Sequence, residues 1–70
     1  MQMIETLEHL SEREKEVFEL VVDGNTSKDI GKMLGITELT VETHRRNIKK
    51  KLQARHLADL FKIAHINQLL

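Results

Sequence analysis

This 70-residue sequence lacks several features, and each absence narrows the class of protein. Cysteine is absent, which excludes a disulfide framework and a thiolate metal site. Proline is also absent, and β-branched residues do not alternate as they do in strands, so we expect helices only. No apolar run is long enough to span a bilayer, and no signal peptide is recognisable. We therefore expect a cytoplasmic protein without a membrane partner.

The length allows one domain at most, with a core so small that simple helical packing or a partner subunit is expected to help stabilise it. The net charge is zero, but the charges are separated along the chain. Residues 1–23 hold seven acidic and two basic side chains, whereas residues 42–56 hold six basic and one acidic. Such a domain can turn one face to phosphate and the other to solvent or a neighbouring domain. Two solvated helix faces of opposite sign would give the same pattern.

Apolar spacing and capping signals predict four helices, over residues 12–23, 27–34, 38–52 and 56–68. Ser11, Thr26 and Thr37 are the predicted N-caps of the first three, and Ser11 forms a capping box with Glu14. A tight turn containing Gly35 joins the second and third helices, which is typical of a helix-turn-helix unit.

Gly31 lies in the middle of the second predicted helix, where glycine costs about 1 kcal/mol relative to alanine. A residue this small also permits a close approach between helices. We therefore expect close packing at this position.

The third predicted helix carries most of the information about function. Val41, His44, Ile48 and Leu52 form one stripe at helical spacing, so His44 is expected to pack against the core rather than bind a ligand. Lys51, at the edge of this stripe, is expected to pack its aliphatic stem and extend its amine into water. The other sides of the helix are strongly basic. A helix with one apolar and one cationic side is suited to the groove of a polyanion.

Nothing in the sequence indicates catalysis. There is no Ser/His/Asp arrangement, no phosphate-binding loop and no pair of catalytic carboxylates. The remaining histidines, His9, His56 and His65, do not have the spacing of metal ligands. We therefore predict a protein that is not an enzyme and that uses neither a metal nor a cofactor.

Three sequence blocks occur in a specific order: LSEREKEVFELVVDG (10–24), SKDIGKMLGIT (27–37) and TVETHRRNIKKKL (40–52). In these blocks the chain resembles the helix-turn-helix domain of the LuxR/FixJ/NarL family of bacterial transcription regulators. Glu42 after Thr40 and Val41 is most similar to the FixJ-like branch. The resemblance implies an all-α, four-helix (tetrahelical) domain over residues 10–70, with residues 1–9 as a linker stub or N-terminal extension.

The resemblance also implies a function, namely sequence-specific DNA binding by a transcription regulator. The helix at residues 38–52 would then lie in the major groove, with Glu42, Thr43 and Arg46 at the base edges. The implied phosphate contacts surround these three residues: Thr26, Ser27, Lys28, Thr37, Thr40, Arg45, Lys49 and Lys50. The chain would be the C-terminal output domain of a two-component response regulator.

The chemistry of two of these side chains can be stated further. Arg46 can bond a guanine through two hydrogen bonds. Glu42 can accept a hydrogen bond from a cytosine amino group, or hold Arg46, four residues away, in a reading geometry. A negative charge near a helix N-terminus is also favourable without any DNA.

The partners follow from the fourth predicted helix and from the resemblance. Ile63, Ile66 and Leu70 form an apolar stripe offset from the other apolar residues of this helix, and we expect them to contact a second copy. The expected partners are double-stranded DNA and this second copy, with a receiver domain and RNA polymerase implied for a longer chain. The alternatives are a stand-alone regulator without a receiver domain, and a helical module that binds an acidic protein.

Overall fold

Four α-helices account for most of residues 4–69, the part of the chain that the computed structural model describes. They are α1 (Glu12–Val22), α2 (Ser27–Leu34), α3 (Glu38–Leu52) and α4 (Leu57–Ile66). No strand occurs within this range, which confirms the all-α prediction. None of these four helices combines the length and the apolar composition needed to cross a membrane.

The predicted N-caps of α1, α2 and α3 are all present. The Ser11 hydroxyl accepts from the Glu14 amide at 3.1 Å, and the Glu14 carboxylate accepts from the Ser11 amide at 2.8 Å. Thr26 and Thr37 each accept, also at 3.1 Å, from the amide three residues further along the chain. Because these side chains satisfy amides that the helices leave unpaired, they determine where the helices start.

Helix α4 is shorter than predicted, and its flanking side chains give the reason. The Asp59 carboxylate accepts from the backbone amides of Arg55 at 2.9 Å and His56 at 3.1 Å. These two hydrogen bonds lower the pKa of Asp59 below its ordinary value and place His56 before the first helical residue. At the other end, the side-chain amide of Asn67 donates to the Ile63 carbonyl at 2.8 Å. Asn67 is the C-cap, and the helix ends at the residue before it.

The hydrophobic core is built around α1, which contacts α2, α3 and α4, while α2 also contacts α3. Phe18 of α1 is completely buried and is among the largest side chains in the core. The core comprises Leu10, Val17, Phe18, Val21, Val22, Ile30, Val41, Ile48, Leu52, Ala54, Leu60, Ile63 and Ala64. Since α2, α3 and α4 all pack against α1, the packing of α1 sets their positions relative to one another.

The segment before α1 is attached to this core. The Ile4 amide donates to the Leu52 carbonyl at 2.8 Å, and the Asn67 side chain donates to the Glu5 carbonyl at 2.7 Å. The side chains of Ile4 and Leu7 pack against the buried cluster. The described part of this segment, from Ile4 onward, therefore packs against the four helices.

The turn between α2 and α3 depends on two glycines. Gly35 has φ +70°, a left-handed conformation that glycine adopts without the steric cost of a Cβ atom. A Cβ atom on Gly31 would lie 2.7 Å from the Ile36 carbonyl oxygen, and the Gly31 carbonyl accepts from the Ile36 amide at 2.9 Å. The expected close approach is therefore real, and its partner is the backbone of the turn that leads into α3.

A valine at Gly31 should destabilise the domain, because its Cβ atom would meet the Ile36 carbonyl oxygen. A backbone atom of the turn cannot move aside as the end of a flexible side chain can. We expect Gly31→Val to lower the free energy of unfolding by about 1–3 kcal/mol, the usual cost of overpacking. Urea unfolding followed by circular dichroism would measure it. The control is Lys32→Val, at an exposed neighbouring position in α2. Equal unfolding midpoints for the two variants would contradict the proposed role of the turn contact.

Candidate nucleic-acid interface

Helix α3 buries one side and exposes the other. Val41, Ile48 and Leu52 are between 0% and 1% exposed and anchor it to the core, and His44 is half-buried on the same side, as predicted. Glu42, Thr43 and Arg46 are exposed. Since residues three or four positions apart share a face, these three side chains form one accessible patch, which we call the α3 outer face.

The three side chains of the α3 outer face differ in how they are held. The Thr43 hydroxyl donates to the Leu39 carbonyl at 3.1 Å within the helix. Glu42 and Arg46 form no ion pair within 4.0 Å, so the alternative in which Glu42 holds Arg46 is not seen in this structure. Arg46 therefore presents a guanidinium group that no carboxylate of α3 neutralises.

The N-termini of α2 and α3 carry most of the predicted phosphate contacts. Thr26, Lys28, Thr37 and Thr40 are exposed, and the hydroxyls of Thr37 and Thr40 lie 2.8 Å apart. Ser27 differs, because it is only 7% exposed and its side chain offers a phosphate little surface. Helix N-termini attract anions through their amides and their dipoles, and the exposed threonines lie at two such N-termini.

Basic side chains flank the α3 outer face further along the helix. Arg45 and Lys49 are half-buried, whereas Lys50 is exposed. Half-burial is typical of long basic side chains whose stems pack while their charged ends reach solvent. The positive charge predicted from the sequence thus lies along a helix that the core holds on one side only.

Lys51, at the end of α3, has a role that its position in the sequence does not reveal. Its amine donates to the Glu14 carboxylate at 2.7 Å, instead of extending into water alone. Glu14 is 5% exposed, while the Lys51 side chain is 42% exposed. Because Glu14 also caps α1, a single carboxylate ties the last turn of α3 to the first turn of α1.

The pKa of Glu14 reflects this position. Burial raises the pKa, but the hydrogen bonds from Lys51 and from the Ser11 amide, together with the charge on Lys51, lower it by more. The net result is a pKa below the ordinary value for a glutamate. Glu14 is therefore charged at neutral pH, and its charge stabilises the contact between α1 and α3.

The predicted dimer contacts on α4 need correction. Ile63 is 0% exposed and packs in the core of its own domain, so it cannot contact a second copy. Ile66 is 44% exposed, and Leu70 lies outside the described residues. The helix is rotated so that Leu60, Ile63 and Ala64 face the core, which the two overlapping apolar stripes in the sequence could not reveal.

This rotation exposes a different side chain. Leu57 is 42% exposed, and Phe61, four residues later on the same face, is half-buried. Ile66 follows Leu57 by nine residues, which places the two on opposite sides of α4 at about 100° per residue. The exposed apolar side chains of α4 therefore do not form the single stripe that was predicted.

The arrangement of α2, the glycine turn and α3 defines a helix-turn-helix protein. The chain belongs to the bacterial regulatory proteins of the luxR family, whose family model matches residues 8–64. It is a LuxR-type helix-turn-helix DNA-binding domain, homologous to transcriptional regulatory proteins. The prediction from the three sequence blocks is thereby confirmed.

Several curated proteins are similar to this chain. The transcriptional regulatory protein MctR of Rhizobium johnstonii is 46% identical over 55 residues, covering 79% of this chain and 26% of MctR. The response regulatory protein YgeK of Escherichia coli is 46% identical over 55 residues, covering 79% of this chain and 37% of YgeK. FixJ of Rhizobium meliloti is 43% identical over 58 residues, covering 83% of this chain and 28% of FixJ. The chain thus matches between about a quarter and somewhat over a third of these relatives.

Removing the amine of Lys51 should destabilise the domain in a pH-dependent way. Lys51→Met leaves the buried Glu14 carboxylate without its charged partner and should lower the free energy of unfolding by about 1–2 kcal/mol at pH 7, allowing for the partial exposure of Lys51. The folded pKa of Glu14 is lowered, so its contribution to the free energy of unfolding is complete above the ordinary glutamate value of 4.5. This contribution is lost as the pH falls through the folded pKa.

The measurement is urea unfolding of wild type and Lys51→Met at pH 7 and pH 3. We expect the difference between them to shrink at the lower pH. Lys50→Met, at an exposed neighbouring position, serves as the control. A difference that stays constant across this pH range would show that the effect of Lys51 does not come from its ion pair with Glu14.

Proposed function

We propose that this domain recognises specific sequences in double-stranded DNA through the α3 outer face, in the cytoplasm, as the output domain of a two-component response regulator. The observation that carries the proposal is the exposure of Glu42, Thr43 and Arg46 on a helix whose opposite side is fixed in the core. The receiver domain is part of the proposal because one similar protein is named a response regulatory protein and the relatives are longer than this chain.

Direct readout in this proposal depends mainly on Arg46. Its guanidinium is exposed and has no partner on α3, so its donors are available to the O6 and N7 atoms of a guanine. Such a contact discriminates between bases by about 1–3 kcal/mol. Glu42 repels phosphates, and its charge favours DNA binding where it accepts a hydrogen bond from a cytosine amino group.

Orientation on the duplex depends on the phosphate contacts. We assign these to the N-terminus of α2 with Lys28, the N-terminus of α3 with Thr37 and Thr40, and the flanking Arg45 and Lys49. Contacts to phosphates fix the register of a protein on DNA but carry no sequence information. They release counterions, so the logarithm of the affinity should fall linearly with the logarithm of the salt concentration.

Dimerisation is proposed through α4, on the side that carries Leu57 and Phe61. Two apolar side chains on one exposed face offer more surface to a second copy than Ile66 alone on the opposite side. A dimer of this kind would bind two half-sites about 10 bp apart, centre to centre.

The proposal is tested by selecting duplexes from a random DNA pool with this 70-residue protein at physiological salt. Enrichment of a motif with paired half-sites is the expected result. If only weak binding remains, without an enriched motif, and it disappears as salt rises, then sequence-specific recognition is ruled out for this domain. Binding to an acidic protein surface would then be the better explanation of the basic helix.

Two substitutions should separate base readout from phosphate contact. Arg46→Ala should reduce discrimination at one base pair of the selected motif by about 10-fold or more, since it removes the paired hydrogen bonds. Lys28→Ala should weaken binding to all duplexes alike and make the salt dependence shallower. Fluorescence anisotropy with the selected duplex and single-base variants measures both. Identical specificity profiles for the two mutants would remove Arg46 from base readout.

A charge on the dimer side of α4 should abolish cooperative binding. Leu57→Asp places a carboxylate in the proposed contact between copies and should reduce binding to the paired site while leaving binding to a single half-site unchanged. Ile66→Asp, on the opposite side of α4, is the matched variant and should retain cooperativity. Titrations of both duplexes provide the measurement. Loss of cooperativity in Ile66→Asp alone would move the dimer contact to the side predicted from the sequence.

A further inference from the structure

Leu39 is the most exposed large hydrophobic side chain in the described part of the chain, at 73%. It is the second residue of α3. Single exposed leucines are common on globular proteins, so exposure alone implies no function. The position of Leu39 relative to the other α3 side chains is what distinguishes it.

Leu39 lies on the α3 outer face. It precedes Glu42 by three residues and Thr43 by four, the spacings that bring side chains together on one side of a helix. It precedes the buried Ile48 by nine residues, which at about 100° per residue places it about 180° from the core. Any base edge that meets Glu42, Thr43 and Arg46 therefore also approaches Leu39.

Beside the Glu42 carboxylate, the part of this face formed by Leu39 and Thr43 is largely apolar. The Leu39 side chain has no hydrogen-bonding group, and the hydroxyl hydrogen of Thr43 is already donated to the Leu39 carbonyl at 3.1 Å. Between them, the two side chains retain one acceptor oxygen and no free donor. Such a surface gains most from covering an apolar group and gains little from the polar edges of adenine, guanine or cytosine.

We propose that Leu39 reads the C5-methyl group of a thymine in the major groove, an inference that rests on the DNA binding by α3 proposed above. Thymine is the standard DNA base that shows a methyl group there, and aliphatic contact is how proteins recognise it. Leu39 and Arg46 are separated by about 10 Å along the helix axis, or about three base-pair steps. The thymine should therefore lie within about four base pairs of the guanine read by Arg46.

The test uses the selected duplex with each thymine replaced in turn by deoxyuridine, which removes only the methyl group. For the wild type, we expect one position in each half-site to lose affinity about fourfold, as burial of a single methyl group implies. Leu39→Ala should bind the thymine and deoxyuridine duplexes equally well. Alanine also favours the helix, so we expect the variant to keep its fold. Met33→Ala, at an exposed apolar position of α2, is the matched control and should keep the fourfold difference.

The outcomes separate this inference from the proposed function. If an Arg46-dependent motif is selected but no deoxyuridine duplex binds more weakly, or if Leu39→Ala still discriminates, then DNA recognition stands and the role of Leu39 is overturned. If no motif is selected, the proposed function and the role of Leu39 both fail. A fourfold difference that disappears in Leu39→Ala and persists in Met33→Ala establishes the contact.

Discussion

The burial of one side of α3 against α1 is the constraint on which the rest of the domain depends. Val41, Ile48 and Leu52 are almost completely inaccessible, and together they fix the rotation of α3 about its own axis. Because the helix cannot roll without exposing these side chains, its outer face is a rigid surface. At about 25 cal/mol per Å² of apolar area, such burial far outweighs the weak interactions among the exposed side chains.

The angle of α3 is set separately, by the turn that precedes it. The missing side chain of Gly31 lets the Ile36 carbonyl approach closely, and Gly35 supplies the left-handed conformation that ends α2. Threonine caps then start both α2 and α3. The capping threonines Thr26 and Thr37 are also exposed, so the residues that start these two helices lie on the surface beside the helix amides.

Glu14 shows how a small domain uses one residue for several purposes. Its carboxylate completes the capping box of α1 and also accepts a hydrogen bond from Lys51 at the end of α3. With a core of 13 buried apolar residues among residues 4–69, an additional link between the first and third helices contributes to stability. The segment from Ile4 acts at the same place, since its backbone bonds to Leu52. The C-terminal end of α3 is thus held by an ion pair and by a backbone hydrogen bond.

The sequence alone determined the helix boundaries of α2 and α3, all three threonine and serine caps, the glycine turn and the family. These features are local. Caps act within three residues, and the apolar spacing of α3 directly predicts one buried stripe. Tertiary structure decided the rest. It assigned the Lys51 amine to Glu14, 37 positions away, and it rotated α4 so that Ile63 faces the core while Leu57 is exposed. A helix that is apolar on two sides does not reveal which side its neighbours cover, because that depends on residues distant in the chain.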